Sequence, residues 1–320
     1  MNKTIKQTIH CLAATAIGLL ATIGPVQAAS EYPNRPVKFL VPWPAGDVED
    51  LLTRLIAETM AKETGKPATV VNKPGAGGVV GASEVASARA DGLLIGSFVV
   101  DLVTTQIHGG NAPYDRDTFE PVGIFLDYPM TMAVRSDAPY NTMAELATYS
   151  QTNKVSLGHF GYQALPTALA FAAGEKAGIK FSSDAPFDAL DCSTLANGDA
   201  DVITANTISV VSCLQSGEAK LLSSMTRDRL TLTPDVPTLA EETGITLTAW
   251  NGLFVKKGTS ESIKQRISEI AQKALASDRA LEIAKTTGAG VYWIDIKDAE
   301  KVIESDFEAT GKLLKFLKES

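Results

Sequence analysis

Beyond residue 28 the chain has only two cysteines, Cys192 and Cys213, and two histidines, His108 and His159. No pair of these stands at metal-ligand spacing, so the sequence offers no zinc site. After the N-terminus no run reaches the ~18 uninterrupted apolar residues of a membrane-spanning helix. Basic residues are also in deficit. Of 29, Lys3 and Lys6 lie at the extreme N-terminus, and the other 27 face 37 acidic residues, a net charge of −10. With no stripe of Lys and Arg interleaved with aromatics, this balance argues against nucleic acid or an anionic membrane as the main partner. Enzyme signatures are missing too: there is no G-x-S-x-G elbow, no H-E-x-x-H and no P-loop. Neither internal repeats nor low-complexity linkers occur, and the length suits two domains or one large one.

What is present begins with a leader. Lys3 and Lys6 precede an apolar run over residues 11–23, broken only by small residues such as Thr15 and Gly18. Gly24-Pro25 ends it, and Val26-Gln27-Ala28 places small residues at a cleavage position before Ala29. This order predicts a secretory signal peptide over residues 1–28, with a retained anchor as the alternative. Export permits a Cys192–Cys213 disulfide; buried free thiols are equally compatible with the sequence.

The rest alternates strand and helix. Residues 37–41 are a short apolar strand, and Val48, Leu52, Leu55, Ile56 and Met60 then recur at helical spacing. Strands are expected at 68–71 and 93–98, with a small-residue helix between them after the glycine-rich segment 74–81. This βαβαβ rhythm predicts a parallel sheet covered by helices. It restarts with strands at 130–135, 155–157, 200–205 and 221–225, and helices opening at Thr142 and Pro166. The last 60 or so residues read as two helices, near 260–275 and 297–316, around a short strand at 291–294. The glycine-rich segment does not fit a dinucleotide fingerprint, because Val80 stands where the third glycine belongs. It fits a tight turn that lets a helix pack on the sheet, and no cofactor is expected.

Ligands of open α/β sheets bind beyond the carboxyl ends of strands. Two such loops stand out. The first, residues 42–50, offers Trp43 as a flat apolar face, Ala45, Gly46 for close backbone approach, and the acids Asp47 and Asp50. The second, residues 158–164, holds Gly158, His159, Phe160, Gly161 and Tyr162: two glycines with free backbone donors, an imidazole and two aromatic faces. Backbone N–H groups at helix starts favour anions. Ordinary turn chemistry accounts for either loop alone. Asp47-Val48-Glu49-Asp50 also fits a helix N-cap with an acid three residues on. His159 has no nucleophile beside it, so no catalytic residue is assigned.

These stretches resemble a known family. Residues 42–50 and Asn72-Lys73-Pro74-Gly75-Ala76-Gly77-Gly78 are similar to two signatures of the tripartite tricarboxylate transporter receptors, the TctC or Bug family. Pro113-Tyr114-Asp115, Phe119-Glu120-Pro121-Val122, residues 232–241 and Trp250-Asn251-Gly252-Leu253 follow in the same order. The resemblance implies a type II periplasmic binding protein: two α/β lobes, 30–129 with 252–320 and 130–251, around a ligand cleft. It implies a monomeric receptor that captures a small molecule, usually an organic acid, for membrane permease subunits. A sensor feeding a membrane kinase uses the same fold, and an exported enzyme using His159 is the third reading.

The chain departs from the family pattern. Asp47 replaces a small or hydroxyl residue, His159 a serine, and Asp101 follows the third strand where small residues are usual. Phe187-Asp188-Ala189 replaces an aromatic-then-glycine turn. Carboxylates facing an acid across low dielectric repel it. The expectation is therefore a ligand carrying an amine or other donor-rich group, held by Asp47 and Asp101, rather than a bare polycarboxylate.

Overall fold

The computed structural model describes residues 32–319; the leader expected over 1–28 lies outside them. Strand β1 (Val37–Val41) buries Phe39, Leu40 and Val41, and α1 (Val48–Thr64) returns Val48, Leu52, Ile56 and Met60 onto it at helical spacing. Next come β2 (Ala68–Asn72), α2 (Val79–Ala86) and β3 (Leu94–Val99). The helix α2 comes close to β1 because Gly81 has no side chain: a Cβ there would lie 2.7 Å from Leu40 and 2.9 Å from Pro42. A 3₁₀ turn at Val100–Val103 and a short α3 (Thr105–His108) then lead to β4 (Phe119–Asp127).

After β4 the chain crosses at Tyr128-Pro129 into a second sheet. It builds β5 (Met130–Arg135), α4 (Met143–Ser150), β6 (Ser156–His159), α5 (Leu165–Ala177), β7 (Ser183–Pro186), α6 (Cys192–Ala196), β8 (Val202–Asn206), α7 (Thr207–Ser216), β9 (Ala219–Ser224) and α8 (Leu239–Thr243). It returns as β10 (Trp250–Lys256), then α9 (Glu261–Leu275), α10 (Asp278–Thr287), β11 (Gly290–Ile294) and α11 (Ile296–Glu319). The first sheet runs β11-β4-β10-β3-β1-β2, the second β7-β6-β8-β5-β9. β1, β2 and β3 are mutually parallel, as are β6, β7 and β8; β10 and β5 enter antiparallel. Two α/β lobes joined by crossing segments result. The return strand starts at Trp250, the first residue of the Trp250-Asn251-Gly252-Leu253 stretch.

Aromatic packing locks β10 into the first sheet. Phe98 stacks on Phe254 at 5.5 Å and meets Phe119 edge-on at 5.1 Å, and Trp250 is fully buried. Burying each such ring contributes roughly 1.5–3 kcal/mol. Three helices, not two, follow the return, since α10 lies between those expected. In the second lobe Cys192 and Cys213 form a disulfide with Cα atoms 5.8 Å apart, tying α6 to α7. That resolves the alternative the sequence left open.

Candidate functional site

The carboxyl ends of β1 and β3 face those of β6 and β8 across a cavity of about 930 Å³. Its first-lobe wall is the loop after β1. Gly46 turns that loop at φ +106°, a conformation strained for any residue with a Cβ. Asp47 then caps α1, its carboxylate accepting the Val48 N–H at 2.8 Å. Asp50 closes the loop from behind: it accepts the Gly46 N–H (3.0 Å), the Arg54 guanidinium through two bonds (2.9 and 3.0 Å) and Asn72 Nδ2 (2.9 Å). Burial alone would raise the Asp50 pKa, but these donors from Arg54, Asn72 and Gly46 hold it below the usual carboxylate range. The capping-box expectation is thus met in a variant form, with the acid reaching Gly46 rather than Asp47.

The second-lobe wall follows β6. His159 is fully buried: Gly161 N–H donates to its Nδ1 at 3.0 Å, so the ring hydrogen sits on Nε2 and is donated to Asp184 at 3.0 Å. Tyr162 donates its hydroxyl to the same Asp184 oxygen at 2.6 Å. His159 therefore braces the loop from within. Of the eleven residues expected at the site, Trp43, Ala45, Asp47 and Asp101 line the cavity from one side, and Phe160, Gly161 and Tyr162 from the other. Gly46, Asp50, Gly158 and His159 are not among its lining residues; they shape and support the two loops behind it.

Hydrogen bonds cross the cleft. Asn206 Nδ2 donates to Asp47 Oδ1 (3.2 Å), and Thr105 Oγ1 to the Gln163 carbonyl (2.7 Å). Asp101 Oδ1 accepts the Leu165 N–H at 3.0 Å, so a first-lobe carboxyl occupies the N-terminus of α5 in the second lobe. Helix α5 has no cap from its own neighbourhood, and the macrodipole favours an anion there.

The cavity is acidic. Sequence reasoning missed one strongly perturbed acid, Glu49, one residue into α1. It is 1% exposed and lines the cavity, and burial, then Asp47, raise its pKa to about 8 against the Tyr128 hydrogen bond. Burial likewise raises Asp101 to about 7 against the Leu165 N–H, and raises Asp47 in the same direction. Asp188 and Asp191 add two more carboxyls, and no Lys, Arg or His appears among the described lining residues. No sequence signal marked Glu49, because an acid in a first helical turn is what the helix dipole favours anyway.

Two α/β lobes enclosing a cavity of aromatic faces and a few polar groups at their strand ends define a two-lobed solute-binding protein. The chain belongs to the tripartite tricarboxylate transporter family of receptors, whose family model matches residues 52–318. Loop 42–50, with Asp47 and Glu49, lies just outside the matched span. A UPF0065 protein of Bordetella pertussis is 27% identical over 308 residues, covering 92% of this chain and 95% of its own. The structure of the periplasmic binding protein BugD is 29% identical with a TM-score of 0.76, covering 89% of this chain and 98% of that one. MatC from Rhodopseudomonas palustris, with bound malate, shares the fold at 24% identity and a TM-score of 0.73, over 88% of this chain and 99% of that one.

Proposed function

We propose that this protein is a periplasmic receptor that closes its lobes on a small organic solute, an organic acid or amino-acid-like molecule, and delivers it to the permease subunits of a tripartite tricarboxylate-type transporter. Family membership supports the receptor role, and the observation that carries it is the cavity of about 930 Å³ bounded by both lobes. That volume lies in the range of small-molecule sites, and its mix of aromatic faces with a few convergent polar groups is typical of them. MatC with malate extends the same reading to organic acids among neighbours of this fold. In this reading the ligand rests on Trp43, Ala45, Phe160, Gly161 and Tyr162, while Asp50 and His159 keep the two loops in shape. In this reading the lobes are 30–129 with 252–320, and 130–251.

Native mass spectrometry of the protein purified from its own periplasm tests the proposal. A retained small solute, whose uptake is lost in cells lacking the gene, is expected. A native protein that still begins at Met1, or that carries no solute and is stabilised by none of a broad panel of organic acids, amino acids and amines, would overturn it.

A further inference from the structure

We propose that the Glu49 wall of the cleft is a subsite for a protonated amine or guanidinium group of the ligand. This rests on the receptor reading above and specifies the chemistry that the receptor selects.

The geometry rests on one atom. Glu49 is 1% exposed and lines the cavity, yet its Oε2 has no hydrogen-bond partner. The other cavity carboxyls on this wall are engaged. Asp47 holds Val48 N–H and Asn206, and Asp101 holds Leu165 N–H. The two acids that the sequence pointed to as cation holders thus each have one oxygen engaged, and among the described carboxylate oxygens the one that is both fully buried and without a partner is Oε2 of Glu49. A buried carboxylate oxygen left unmatched costs free energy that a donor arriving in the cavity recovers. Protonating Glu49 removes the charge but leaves the same oxygen without a donor. A ligand N–H carrying positive charge meets both needs in one charge-assisted bond.

A ligand anion fits the same wall poorly. Four loop donors of the kind that suit a carboxylate are already taken: the N–H groups of Gly46, Val48, Gly161 and Leu165 bond Asp50, Asp47, His159 and Asp101. No described basic side chain lines the cavity. An added carboxylate would instead meet Asp47, Glu49 and Asp101 at low dielectric. Trp43, which lines the same cavity, offers an aromatic face to a cation. Its Nε1, also buried without a partner, leaves a donor for an acceptor elsewhere on the same ligand. Tyr128, at the interlobe crossing, lines the same cavity as Glu49 and lowers its pKa against the effect of burial.

The test uses the full mature protein and four probes: putrescine, agmatine, 4-aminobutyrate and succinate. The first, third and fourth are four-carbon chains with two amines, one amine and one carboxylate, and two carboxylates; agmatine adds a guanidinium. Thermal shift and calorimetry at millimolar probe should show stabilisation by at least one nitrogen-bearing probe and none by succinate. In Glu49→Gln, nearly isosteric, affinity for that probe should fall at least ten-fold. The ligand-free melting curve of the variant verifies that it folds. The wild-type ranking stands without the variant: stabilisation by succinate alone, or by no nitrogen-bearing probe, overturns the subsite. So does undiminished binding in folded Glu49→Gln. Binding of succinate would still leave the receptor reading intact, whereas binding of no solute at all would count against the receptor reading itself.

Discussion

Asp47 at the N-cap and Glu49 and Asp50 in the first turn open α1, and their surroundings give each a different task. Asp47 caps the helix, Asp50 knots the loop to Arg54 and Asn72, and Glu49 is buried in the cavity wall with little to offset its desolvation. The sequence showed three acids at a helix start, and the dipole explains all three equally well. Burial separates them, and burial depends on what β4 and the crossing at Tyr128 bring alongside. For His159 the loop position was legible in the sequence, but the Gly161 N–H and the Asp184 carboxylate that its ring bonds were not. Glu49 carries a stability consequence of definite sign. Below about pH 4.5 both folded and unfolded chains hold its proton. Above that the unfolded chain releases it, while the folded one keeps it to about pH 8. The unfolded state therefore binds fewer protons across this window, and the group lowers stability as pH rises through it, by on the order of a few kcal/mol. Ligand-free melting of wild type and Glu49→Gln should agree near the acid end and separate by pH 8, with the variant more stable. Parallel melting curves across the window would contradict this account of Glu49.

At the level of elements, the strands and helices read correctly were those with clean periodicity. β1 and β5 matched their expected bounds, and α1, α5 and α9 differed by a few residues at their ends. β4 was not foreseen, because Pro121 and Gly123 interrupt an apolar run that otherwise reads as a nine-residue strand. The irregularity is real: the β4–β10 pairing shifts register at two places, one beside the Pro121–Phe254 pair. α10 is short, and its apolar positions merge with the end of α9. The α6–α7 disulfide could not be read from two isolated thiols. It closes a loop of 21 residues beside a small second core that includes Leu195, Ile203 and Val210. Loop closure of that length stabilises by roughly 2–4 kcal/mol. Denaturant unfolding of a Cys192→Ser/Cys213→Ser variant should reveal a second lobe weakened by about that much, with the first lobe unchanged. Identical midpoints for oxidised wild type and variant would show that the bond contributes nothing to the lobe it joins.

At the scale of the whole molecule, the two lobes are held across the cleft by the ligand-facing walls themselves. Asp101 accepts the first amide of α5 from the opposite lobe, Asn206 reaches Asp47, and Thr105 reaches the Gln163 carbonyl. A carboxyl on one lobe that sits at the helix N-terminus of the other gives the closed arrangement an attraction that the open one lacks. Closure of two lobes about crossing segments is a hinge motion, and a solute shifts it only by binding the closed form better than the open one. Removing the Asp101 acceptor should therefore tilt the ligand-free protein toward the open form. In small-angle scattering, Asp101→Ala without ligand should show a larger radius of gyration than wild type, and saturating ligand should restore compaction. Asp101→Asn keeps an amide oxygen facing Leu165 and should stay near wild type. That contrast separates loss of the acceptor from loss of charge. If Asp101→Ala scatters like wild type in the absence of ligand, the α5 contact is incidental to closure. If Asp101→Asn opens as far as Asp101→Ala, the charge on Asp101, rather than its place as the α5 cap, holds the lobes together.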